Sequence, residues 1–153
     1  MFEVPSSTAS QNMRAIRHFV RDDELAACFF SYIPAHVRKR LGLHGCCTDL
    51  RWIRYPLGGY IAPHRDGVRR DPLTGLETHV SFLLYLTTVP DGEGGETTFL
   101  DHLPEECADG EQPHVVHSVR PVAGRLLLFP HAQPHQGEAV GSFGKSLLRG
   151  DLY

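Results

Sequence analysis

The 153-residue sequence predicts a mainly β fold, an all-β sandwich or jelly roll behind two short N-terminal helices. Two observations carry this. From residue 50 onward, short apolar runs alternate with Gly, Pro and Asp, which is the punctuation of strands and turns. The run Val80-Ser81-Phe82-Leu83-Leu84-Tyr85-Leu86 is apolar at nearly every position, as a central strand covered on both faces must be.

Taken in order, residues 1–12 carry no periodicity and read as a loose tail. Residues 14–20 suit a short strand. Asp22, Asp23 and Glu24 precede an apolar segment and open a helix to about residue 32, since their carboxylates accept from free backbone N–H groups. Pro34 suits the first turn of a second helix, Arg38, Lys39 and Arg40 suit its negative end, and Gly42 ends it. Residues 22–42 therefore form a helical brace. Strands are predicted at 50–55, 60–64, 77–88, 96–100, 114–120, 124–129, 134–140 and 145–152, making 50–153 the β core of a single domain over 1–153. Two polar loops, 67–76 and 101–113, read as lids or substrate contacts.

Bulk properties exclude some functions. Lys+Arg total 15 against 18 Asp+Glu, a net charge of -3, so electrostatics give no reason to expect a nucleic-acid partner. No apolar run reaches membrane-spanning length, and no secretory signal opens the chain. Cys28, Cys46, Cys47 and Cys107 lack zinc-ligand spacing, and adjacent Cys46 and Cys47 are badly placed to bridge each other. Four reduced thiols in a cytoplasmic protein is the reading that follows.

His64-Arg65-Asp66 offers metal chemistry. Residues two apart on a strand point to one side, so this imidazole and carboxylate can converge on one ion. A second histidine from elsewhere would complete a facial triad, the ligand set of non-haem Fe(II) oxygenases. A lone His-x-Asp is common in unrelated chains, so the weight lies in its context. Pro63-His64-Arg65-Asp66-Gly67 ends a strand. His131 and His135 lie at another strand edge in FPHAQPHQG, and a basic residue follows on the last strand.

In these segments the sequence resembles the 2-oxoglutarate- and Fe(II)-dependent oxygenases, specifically the prolyl 4-hydroxylase-like branch. The matching pieces are RYPLGGYIAPHRDG (54–67), HVSFLLYLTTVPDGEGGETTFL (79–100), VRPVAGRLLLFPHAQPHQGEAV (119–140) and GKSLLRGDLY (144–153). The resemblance implies a double-stranded β-helix (jelly roll, cupin-like). It implies Fe(II) on His64, Asp66 and His135, with His135 preferred to His131. It places the far carboxylate of 2-oxoglutarate on Lys145 or Arg149, with Tyr55 beside it. Lys145 is slightly favoured, and an ion pair with an aspartate is the structural reading of Arg149. O2 is the co-substrate, and ascorbate is an accessory reductant of the branch. The implied reaction hydroxylates an unactivated C–H bond of a peptide, amino-acid or small-molecule substrate, releasing succinate and CO2. An aspartate at 66 argues against halogenation, since related halogenases carry a small residue there.

Two alternatives stand beside this. One is a non-catalytic metal- or metabolite-binding jelly roll, which has no need of the full set of three ligands and a cation. The other is a nucleic-acid demethylase of the same superfamily, which needs a basic groove and stacking aromatics. Arg65, Arg69 and Arg70 form a small basic cluster beside His64, read mainly as a solvated loop that can also meet an acidic substrate. Glu96 in the GGET turn is read as structural, and the remaining histidines as ordinary surface or strand residues. Only about fifty residues precede the matched region. A minimal member of the family and one braced by dimerisation both fit, so oligomeric state is left open.

Overall fold

The computed structural model describes residues 13–153; the predicted tail over 1–12 lies outside the described residues. Strand β1 (Ile16–Arg21) leads into α1 (Asp23–Tyr32) and α2 (Ala35–Leu41), followed by β2 (Asp49–Tyr55) and β3 (Ile61–His64). Then come β4 (Val80–Tyr85), β5 (Thr97–Leu100), a 3-10 turn (Pro104–Glu106), β6 (Val115–Val119), β7 (Leu126–Pro130), β8 (His135–Gly137) and β9 (Lys145–Leu152).

Local chemistry sets the helix ends. Asp22 is extended and its Oδ1 accepts from Leu25 N–H at 2.8 Å, a cap of the kind that contributes about 1 kcal/mol. Gly42 closes α2 at φ 64°, a left-handed conformation that suits glycine. Helix α1 buries Ala26 and Phe29, and Phe29 stacks on Phe82 of β4 at 4.0 Å between ring centroids. So the brace is fastened to the central strand by apolar contact.

The strands form two antiparallel sheets, β1-β2-β9-β4-β7 and β3-β8-β5-β6, whose facing surfaces make a double-stranded β-helix. β4 is central as its composition requires: it pairs with β7 on one side and β9 on the other. Pairing places Arg51 opposite Arg149, and Arg149 in turn opposite Leu83. Tyr55 lies opposite Lys145, and Ser81 lies opposite Asp151. These residues, with Ile53 and Leu147, share the sheet face that looks into the barrel.

The strand predicted over 134–140 is shortened to 135–137. β8 stops at Gly137, and Gly95 and Glu138 continue the contact through isolated backbone bonds, Glu138 N–H to Glu96 O and Gly95 N–H to Ala139 O. The strand predicted over 77–88 is trimmed to 80–85. Leu86 N–H still bonds to Ser146 O, beyond the regular ladder.

Candidate metal centre and cosubstrate pocket

β3 and β8 run antiparallel with His64 opposite His135, and Asp66 follows two residues after His64. This brings His64, Asp66 and His135 together with one potential ligand atom from each inside 4.8 Å of the others. His64 Nε2 lies 3.7 Å from one Asp66 oxygen, and His135 Nε2 lies 3.8 Å from the other.

The remaining ring nitrogens explain the orientation. His64 Nδ1 is 2.9 Å from the Ala62 carbonyl, and His135 Nδ1 is 2.9 Å from the Gln133 carbonyl. A carbonyl only accepts, so each Nδ1 carries the proton and donates. Each Nε2 lone pair is thereby turned toward Asp66. Backbone bonds of this kind fix the tautomer a metal ligand needs. Burial comes first in lowering the pKa of His135, and a proton on His64 would lower it further; this outweighs the upward pull of Asp66 and leaves the His135 imidazole neutral. For Asp66, burial alone acts upward. The groups around it, the Ser81 hydroxyl donor among them, outweigh it and hold the carboxyl below its usual range. Two neutral imidazoles and one carboxylate on one side of a gap form a donor set that fits a divalent iron.

His131 does not compete for the ion. It is buried, with Nε2 2.9 Å from Thr78 Oγ1 and Nδ1 2.9 Å from Ser81 Oγ. Ser81 in turn donates to Asp66 Oδ2 at 2.5 Å. His131 thus buttresses Ser81, which orients the carboxylate. Sequence reading passed over Ser81, although it is the lone polar residue in an otherwise apolar central run.

The two cations of β9 differ in their partners. Arg149 Nη2 is in direct contact with Asp66 Oδ1 and lies 3.5 Å from Asp151 Oδ1. Lys145 is buried at the other end of the strand, where Nζ donates to the Gly95 carbonyl at 2.7 Å. It sits 4.4 Å from the centre of the Tyr55 ring, and none of the ion pairs among the described residues involves it. Burial, partly offset by Glu96 and Glu138, brings Lys145 down to about 8. Gly137 allows the close approach of Ile61: a Cβ there would meet Ile61 Cγ2 at 2.9 Å, while Lys145 Nζ would stand at an ordinary contact distance of 3.7 Å. Tyr55 is buried, and burial pushes its hydroxyl up to about 12, so it stays protonated at neutral pH.

All six residues singled out by the sequence, His64, Asp66, His135, Lys145, Arg149 and Tyr55, line one cavity of about 480 Å³, a size suited to small-molecule binding. Of the basic cluster, Arg65 is paired with Glu106 at 2.5 and 2.8 Å and Arg70 with Glu77 at 2.8 Å. Only Arg69 lines the cavity. The 101–113 loop is therefore tied to the edge of the site through Glu106. Asp71 anchors the 67–76 loop by accepting from the backbone and hydroxyl groups of both Thr48 and Thr74.

A family model described as the 2OG-Fe(II) oxygenase superfamily matches residues 50–148, which include His64, Asp66, His135 and Lys145. The chain belongs to that superfamily. Its members use Fe(II), 2-oxoglutarate and O2. Solved structures similar to this oxygenase include a prolyl-4-hydroxylase from Pseudomonas putida, 24% identical with a TM-score of 0.60, over 97% of this chain and 76% of that one. A viral collagen prolyl hydroxylase from Paramecium Bursaria Chlorella virus-1, in complex with 2OG, is 18% identical with a TM-score of 0.60, over 92% and 79% of the two chains. A prolyl hydroxylase from Trichoplax adhaerens, bound to a hypoxia inducible factor peptide fragment, is 20% identical with a TM-score of 0.61, over 94% and 66%. At these identities the likeness shows the shared fold. No curated protein sequence matches the chain.

Proposed function

We propose that this oxygenase is an Fe(II)- and 2-oxoglutarate-dependent hydroxylase with His64, Asp66 and His135 as the iron ligands. The observation that carries the reading is the convergence of two Nε2 atoms and a carboxylate, with both Nδ1 atoms committed to backbone carbonyls. Iron and 2-oxoglutarate, when bound, supply the activation of O2 and its coupling to decarboxylation of the cosubstrate to succinate.

The chain's own residues supply position and charge. Lys145 is a buried cation without a carboxylate partner among the described residues, an arrangement that an incoming anion stabilises. We assign it the far carboxylate of 2-oxoglutarate, with the protonated Tyr55 hydroxyl beside it as a donor. Arg149 is already engaged by Asp66 and Asp151 and acts here on the ligand carboxylate. Ile53, Leu83 and Leu147 give the cavity an apolar floor that limits water around the reacting groups.

The prolyl-hydroxylase relatives support hydroxylation as the outcome, on a peptide, amino-acid or small-molecule substrate. We also assign residues 1–153 to one catalytic domain. The four free cysteines support a reducing compartment, the cytoplasm. No helix among the described residues is long and apolar enough to cross a membrane.

The test is 2-oxoglutarate turnover. Purified protein with Fe(II), ascorbate and O2 should convert 2-oxoglutarate to succinate, slowly without a primary substrate. Asp66→Ala should not. Succinate formation by Asp66→Ala at the wild-type rate would remove the assignment.

A further inference from the structure

The cavity holds more positive charge than iron and 2-oxoglutarate require. Besides Lys145, it is lined by Arg17, Arg51, Arg69 and Arg149. Four guanidiniums face two carboxylates, Asp66 and Asp151, and Asp66 belongs to the metal centre. Asp151 is fully buried and is shared by Arg51 at 3.0 Å, Arg69 at 3.4 Å and Arg149 at 3.5 Å.

Arg17 is left over. None of the ion pairs among the described residues involves it, and its Nε is buried without a hydrogen-bond partner. Arg51 Nε is also buried and unpartnered. The register explains why both face the cavity. Arg17 of β1 lies opposite Ile53 of β2, and Arg51 precedes Ile53 by two residues, on the same side of the strand. Two neighbouring strands thus present guanidinium donors with unmet hydrogen-bonding capacity on one wall. A buried donor left unpaired carries a desolvation cost that an anionic ligand removes.

We propose that the primary substrate is a small acid, a carboxylate or phosphate monoester, whose anionic group is held by Arg17 with Arg51 and Arg69. Its aliphatic body then crosses the floor of Ile53, Leu83 and Leu147 toward His64 and Asp66. This rests on the assignment of Lys145 to the cosubstrate. It distinguishes the protein from an enzyme acting on a neutral, internal residue of a peptide.

The probes are matched pairs: N-acetyl amino acids as free acids, the same compounds as carboxamides, and alkyl phosphates. Each is titrated calorimetrically into the anaerobic Fe(II)·2-oxoglutarate protein. Wild type should bind at least one acid or phosphate about tenfold or more tightly than its neutral counterpart. The arm that binds says which acid group is used. Arg17→Gln should erase that preference while 2-oxoglutarate still develops its visible charge-transfer band. Arg17→Lys should keep part of the preference. Equal binding of acids and amides overturns the proposal, as does binding of no acid or phosphate. So does preferential binding of a blocked neutral peptide. Loss of the 2-oxoglutarate band in Arg17→Gln but not in Lys145→Met would also overturn it, making Arg17 the cosubstrate anchor. Absence of the band in wild type is a separate result: it fails the underlying function, and this inference with it.

Discussion

His64 and His135 face each other across the β3–β8 pairing, with ring centroids 4.2 Å apart. Two imidazoles this close beside a buried carboxylate gain most from a shared cation, since protonating both would set like charges against each other. Replacing either ring by alanine should abolish Fe(II) binding while leaving the sheets intact. Equilibrium dialysis for iron, with circular dichroism for the fold, checks both parts. Asp66→Ala should also stop turnover.

Ser81 is expected to tune that carboxylate. Its hydroxyl donates to Asp66 at 2.5 Å and is itself 2.9 Å from His131. Ser81→Ala should lower Fe(II) affinity by about 10–100-fold, the usual scale for groups that orient a ligand. His131→Ala should act in the same direction through Ser81. Metal titration of the two variants and their double mutant would show sub-additive losses if they act in series.

Lys145 gives a pH signature. Its pKa, brought down to about 8 by burial, lies below the ordinary lysine value of 10.5. The ammonium is the form that binds an anion. Affinity for 2-oxoglutarate should therefore fall as pH rises through 8, and binding above that pH should take up a proton. Lys145→Arg should flatten the dependence, because guanidinium stays charged throughout. Stability of the apo protein runs the opposite way. Between pH 8 and about 10.5 the unfolded chain holds a proton that the folded one lacks, so stability rises with pH. Calorimetry at pH 7 and 9 and thermal melts over the same range read the two trends.

Asp151 is predicted to be structural. It is fully buried and bonds to Arg51, itself almost entirely buried, at 3.0 Å. Asp151→Ala leaves Arg51 without its partner and should cost about 3–5 kcal/mol of stability, the range for breaking one side of a buried ion pair. Urea unfolding measures this directly.

Much of the site was legible because strand periodicity and local spacing determine it. His64 and Asp66 converge because they are two apart near a strand end, and Lys145 and Arg149 share a face because they are four apart. β4 could be read as central because apolar residues fill both of its faces. Long-range pairing was harder to read. Nothing local says that Arg17 of β1 faces the same cavity as Arg51, or that Arg149 turns onto Asp66 while Lys145 stays free of carboxylates. Those facts come from register across five strands, which a single sequence does not encode locally. The basic cluster at 65–70 misleads for the same reason: Glu106, which neutralises Arg65, lies 41 residues away.

The most direct test of the central claim is an anaerobic titration of apo protein with Fe(II) and then 2-oxoglutarate, followed by visible absorbance. The account predicts a weak charge-transfer band that appears only when both are present. It should be lost in His135→Ala and require much higher 2-oxoglutarate in Lys145→Ala. No band in wild type, or a band undiminished by His135→Ala, would contradict the assigned metal centre.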